Sequence, residues 1–148
     1  GVVIAYASMY GHTEEMAEVI ARELAEQGIK SIRMYDVSKT HPSYIISDIF
    51  KYNSLILGSP TYSNGLHPNL DSLVNKLETI GIPQRNFGFF GNFTWAGAAV
   101  KRLQGFAETS GWKVVGVPVE EKHALKSSNY EACRELGRAM ASAVKNEK

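Results

Sequence analysis

The sequence predicts an α/β domain built on a doubly wound, five-stranded parallel sheet with helices on both faces. Three observations carry this expectation. Five short runs rich in Val, Ile, Phe and Tyr, each bounded by Gly, Pro, Asn or Ser, have the length and punctuation of buried strands. Five segments with apolar residues at helical spacing alternate with them, the pattern of repeated βα units. At 148 residues the chain can bury one good core.

In chain order, strand 1 is expected over residues 2–7, and Met16, Val19, Ile20 and Leu24 then mark helix 1, with Gly28 as its stop. Strand 2 is expected over 32–36, followed by a weaker helical segment over 43–52 that carries Ile45, Ile46, Ile49 and Phe50. Strand 3 covers 54–59, and Leu70, Leu73, Val74 and Leu77 give helix 3 the spacing i, i+3, i+4, i+7. Strand 4 covers 87–92, and Val100, Leu103, Phe106 and Ala107 form helix 4 before Gly111. Strand 5 is expected over 113–119, and Cys133, Leu136, Met140 and Val144 place the last helix on the core. Right-handed crossovers leave few doubly wound orders. In these, ligands sit beyond the carboxyl ends of the strands, where the order reverses. The loops after strands 1, 3 and 4 are therefore the ones to read.

Composition narrows the function classes. Sixteen basic residues against 15 acidic ones give a net charge of +1, without the basic stripe of a nucleic-acid binder. A single cysteine, Cys133, rules out an internal disulfide and a cysteine-clustered metal site. It fits a reducing, cytoplasmic setting. No apolar run approaches the roughly 20 residues of a membrane span. The chain opens at Gly1 directly into strand 1, and we expect a domain cut from a longer polypeptide.

The first loop, Ser8-Met9-Tyr10-Gly11-His12-Thr13, lacks both the dinucleotide glycine pattern and the P-loop lysine. It offers hydroxyls at both ends, a glycine free to take positive φ, and a helix whose first amides point back into it. Such amides, with the helix dipole, can hold an anion without any basic residue. The alternative is a plain helix cap by Ser8 or Thr13, with Glu14 and Glu15 in the first turn. The second loop, Pro60-Thr61-Tyr62-Ser63-Asn64-Gly65, leaves strand 3 through a proline. It puts Tyr62 at an expected apex and has an Asn-Gly turn signal. Tyr62 either stacks on a planar ligand or packs on the neighbouring helix. The third loop, Asn92-Phe93-Thr94-Trp95-Ala96-Gly97, carries two aromatics that either cover the core edge or wall a pocket. Helix 4 is expected to start near Gly97, its free amides facing the same edge. A ligand with a phosphate at one end and a flat heterocycle at the other satisfies all three loops, and flavin mononucleotide (FMN) has that shape.

These residues resemble a flavodoxin-like domain, and the likeness covers nearly the whole chain. The segments 9–13, Gly58-Ser59-Pro60-Thr61-Tyr62 and Trp95-Ala96-Gly97 are most similar to the flavodoxin domain of flavodiiron (A-type) flavoproteins. The resemblance implies strand order 2-1-3-4-5 and FMN as cofactor. It implies that residues 8–13 hold the phosphate and that 60–65 and 92–97 flank the isoalloxazine. It further implies electron transfer through one- and two-electron-reduced flavin to a redox partner or a linked diiron domain, with no catalytic residue beyond the flavin. A homodimer is a further candidate assembly. His12, His41, His67 and His123 are scattered without carboxylates at ligand spacing, so no metal site is expected in this chain.

The three loops contain no Asp or Glu, which leads us to expect a less negative second reduction step than acidic flavodoxins show. The alternative function is an FMN-dependent NAD(P)H:quinone reductase, which usually needs longer loops than these. A signalling receiver of similar topology is disfavoured, because Ala7-Ser8 and Ser59-Pro60 stand where it would need acidic residues. Cys133 is expected to face the core, His67 to belong to the entry of helix 3, and Trp112 to seal the bottom of the sheet. The segment 120–123 is read as either a pocket gate or a partner contact.

Overall fold

The computed structural model describes residues 1–8, 11–62, 65–93, 97–122 and 127–146. Its main sheet is parallel. β1 (Val2–Tyr6) pairs with β2 (Ile32–Asp36) on one side and with β3 (Ser54–Tyr62) on the other. β4 (Gly65–Leu66) folds back on the end of β3 as an antiparallel hairpin. β5 (Asn86–Phe93) lies along β3, and both β6 (Lys113–Val114) and β7 (Val119–Lys122) pair with β5. The spatial order β2-β1-β3-β5-β6 is the expected doubly wound arrangement once the hairpin strand is set aside.

Strand periodicity sorts the core into two layers. Val3, Ala5, Leu55, Leu57, Phe87 and Phe89 face α2 (Pro42–Lys51), α3 (Pro68–Ile80) and α4 (Ala99–Ser110). Val2, Ile4, Ile56 and Phe90 face α1 (His12–Glu26) and α5 (Ser127–Lys145). Cys133 is fully buried in the second layer, as its helical spacing implies. Trp112 closes the bottom of the first layer: its indole N–H donates to the Ile82 carbonyl at 3.2 Å and its ring meets Phe106 edge-on at 5.0 Å. Among the described residues, no helix is long and apolar enough to cross a membrane.

Two expectations need correction. The run 113–119 is not one strand. Val115 N–H still donates to the Phe87 carbonyl at 2.8 Å, but Gly116 takes φ +72° and Pro118 has no N–H to give, so residues 116–118 leave the ladder and the chain rejoins β5 as β7. A Cβ on Gly116 would also stand 3.1 Å from the Ala139 Cβ on α5. Strand 3 does not stop at Ser59 but runs to Tyr62, with Pro60 opposite Asn92. The Gly58 carbonyl accepts from Ala7 N–H, so Pro60, two residues on, points the same way, beyond the end of β1. Its missing N–H costs no ladder bond there.

Candidate functional site

The register brings three chain exits together: Tyr6 stands beside Gly58, Gly58 beside Phe90, and Pro60 beside Asn92. From β1 the sheet runs to β2 on one side and to β3 on the other, so the switch point falls at this edge.

At the first exit, the Ser8 hydroxyl accepts from Gly11 N–H at 2.9 Å and closes the loop. Gly11 is the N-cap of α1 at φ +83°, and among the described residues no side chain caps the helix, which overturns the reading of Ser8 or Thr13 as the cap. The other described N-termini differ. His41 accepts from Ser43 N–H at the start of α2, and His67 accepts from Asn69 N–H at the start of α3. At α4, Thr61 accepts from Ala98 and Ala99 N–H at 3.0 and 3.1 Å. Those amides are therefore taken, not free as expected, and α4 starts at Ala99 rather than near Gly97. Among these four helices and the described side chains, α1 alone offers its first amides without a side-chain acceptor, which is the donor set a phosphate needs.

Glu14 and Glu15 sit in the first turn of α1, where the dipole favours them, and each accepts from a phenol: Tyr6 at 3.2 Å and Tyr130 at 2.8 Å. Burial, then the Glu14 charge, pushes the Tyr6 phenol far above its ordinary pKa, so it remains a donor. The hydrogen bond to Glu15 likewise raises Tyr130. His12 is half-buried at the start of α1. Thr13 is buried, and its hydroxyl donates across the site to the Asn92 side-chain oxygen at 2.8 Å.

At the second exit, the Ser59 hydroxyl donates to the Pro60 carbonyl at 2.7 Å and accepts from His67 N–H at 2.9 Å, closing the hairpin at its base. Tyr62 is not at an apex. It lies on β3 opposite Gly65, 42% exposed, with its ring tilted against His67 at 6.0 Å. Gly65 does not use a positive φ, and a Cβ there would meet nothing nearer than the Tyr62 carbonyl at 3.9 Å. At the third exit, Asn92 is buried and Phe93, half-buried, pairs with Lys122 of β7. Met9, Tyr10, Ser63, Asn64, Thr94, Trp95 and Ala96 lie outside the described residues.

The three loops hold no Asp or Glu, but an acid reaches this edge from β7. Glu120 leans on Gly97, so that a Cβ there would stand 2.4 Å from its Oε2. Arg102, in the first turn of α4, is turned to Glu78 at 2.9 Å and Asp71 at 4.0 Å. No local pattern in the sequence pairs residue 97 with residue 120. Among the described residues, no three His, Cys, Asp or Glu side chains gather as a metal-holding group.

A parallel switch point with an uncapped helix N-terminus and two fastened loops beside it defines a nucleotide-type cofactor domain. The flavodoxin family pattern matches residues 4–137, and the chain belongs to that family; its cofactor is FMN. The chain is 30% identical over 144 residues to the rubredoxin-oxygen oxidoreductase of Megalodesulfovibrio gigas, covering 97% of this chain and 36% of that protein. The solved structure of that oxidoreductase superposes with a TM-score of 0.92, at 30% identity over 97% of this chain and 36% of the other. The flavodiiron core of Flv1 from Synechocystis sp. also gives 0.92, at 24% identity over 99% of this chain and 36% of that one, a likeness of fold. A flavodoxin from the domain Archaea gives 0.87, at 18% identity over 98% and 99% of the two chains, again a likeness of fold. The chain thus spans about a third of the oxidoreductase and resembles a whole flavodoxin in size.

Proposed function

We propose that this domain holds FMN at the switch point and passes electrons to a redox protein or to a diiron domain on the same polypeptide. The observation that carries the reading is the α1 N-terminus, left without a side-chain cap at the sheet edge where two further loops meet. FMN supplies reversible one- and two-electron redox chemistry when bound. The chain's part is to hold, orient and shield. The amides that follow Gly11 take the phosphate, helped by the dipole of α1, and Ser8 fixes the loop by binding Gly11 N–H. Residues 60–65 and 92–97 flank the ring system, with the half-exposed Tyr62 available for stacking.

A rubredoxin-type acceptor is suggested by the oxidoreductase relative, and a linked diiron domain by the flavodiiron core. The quinone-reductase alternative lacks support here: the connections at this edge are short, and the similarities run to flavodiiron proteins and flavodoxins. The test is to reduce the FMN-loaded domain and mix it with an oxidised one-electron protein acceptor, and separately to supply NADH and a quinone. Electron delivery to the acceptor, with NADH consumption no faster than free FMN gives, is expected. Rapid NADH:quinone turnover by the domain would overturn the proposal.

A further inference from the structure

The first residues of α4 carry no acceptor of their own: the N-cap is Ala98 and the next residue is Ala99. Their amides are satisfied by a hydroxyl 37 and 38 residues earlier in the chain, Thr61 Oγ1, at 3.0 and 3.1 Å. Thr61 is itself fixed on β3, opposite Leu66 of the hairpin. The stretch between β5 and α4 is therefore anchored at both ends. At its entry, Asn92 lies against Pro60 and accepts from Thr13. At its exit, Ala98 and Ala99 are held by Thr61. Ala99 is also buried, its Cβ 3.4 Å from where a Cβ on Gly91 would stand.

We propose that Thr61 is a positioning residue: by capping α4 from the neighbouring loop, its hydroxyl fixes Ala98 and Ala99, where the loop that flanks the isoalloxazine enters α4. This rests on the FMN reading above. Without the acceptor, two amides at a part-buried helix start lose their partner, and the chain recovers hydration only by opening that turn. Binding must then draw on the fraction of molecules in which the turn is closed, and the apparent dissociation constant rises by the inverse of that fraction. The loop serves the ring end of the ligand, so FMN and riboflavin are weakened alike. The phosphate, held at α1, is untouched.

The test is titration of the chain and its variants with FMN and with riboflavin. Thr61→Val keeps the shape and loses the acceptor; Thr61→Ser keeps the acceptor. Val is expected to weaken both flavins roughly tenfold, equivalent to about 1.4 kcal/mol, with their affinity ratio unchanged. Ser should bind both within about threefold of the parent. Unchanged affinities in Thr61→Val, an effect on FMN alone, or a Ser variant as impaired as the Val variant would overturn the role. If Thr61→Val does not fold, Thr61→Ala, which also lacks the acceptor, is titrated in its place, and the same loss of both affinities is expected. Unchanged affinities in Thr61→Ala would overturn the role. A parent chain that binds neither flavin would instead remove the FMN reading, and this inference with it.

Discussion

Gly11 and Glu120 show how single residues set the site. Gly11 occupies a left-handed conformation with nothing within 4 Å of a would-be Cβ, so Gly11→Ala costs backbone strain alone, about 1–2 kcal/mol. The expected outcome is a lower unfolding midpoint together with weaker FMN binding, read by chemical denaturation and flavin titration. Glu120 puts a carboxylate against Gly97, at the edge where the second electron on the flavin adds negative charge. Glu120→Gln should raise the midpoint potential of that second step by an amount on the order of 20–40 mV, checked by potentiometry. Cys133 is pushed up to about 12 by burial and then by the Glu121 charge. A thiol held protonated in the fold but ionising near 8.5 when unfolded makes stability fall as pH rises from about 8.5 toward 12. Between pH 7 and 10 the parent chain should lose about 1–2 kcal/mol more than Cys133→Ala, measured by urea denaturation at both pH values.

At the scale of elements, the strands and helices were legible because periodicity and punctuation are local. Helical spacing placed Cys133, Leu136 and Met140 in the core, and the bulk of Trp112 before a strand marked it as a seal. Trp112→Ala should cost about 3–5 kcal/mol, read as a lowered urea midpoint, because it empties the space against Phe87 and Phe106, both of which the indole meets edge-on. What was misread lies where an element's neighbours decide its fate. Pro60 reads as a strand end, yet β1 has already stopped beside it, so β3 continues. Gly116 and Pro118 were visible as punctuation inside the run 113–119, and their joint effect is the split into β6 and β7. The α4 cap was illegible because Ala98 and Ala99 advertise no partner, and the hydroxyl that serves them arrives from another loop. The contact of Glu120 with Gly97 escaped for the same reason.

For the whole molecule, the sheet order makes the site. Because β1 sits between β2 and β3, the exits of β1, β3 and β5 open side by side. Ties from Thr13 to Asn92 and from Thr61 to Ala98 and Ala99 join the three exits into one unit. The central claim is that this unit holds FMN by its phosphate at the α1 N-terminus. Titration of the 148-residue chain with FMN and with riboflavin, followed by quenching of flavin fluorescence, tests it most directly. One FMN per chain, bound at least about a hundredfold more tightly than riboflavin, is the expected result, since each charge-assisted hydrogen bond to the phosphate contributes about 1.5–3 kcal/mol. Equal affinity for the two flavins, or no binding of either, would contradict it.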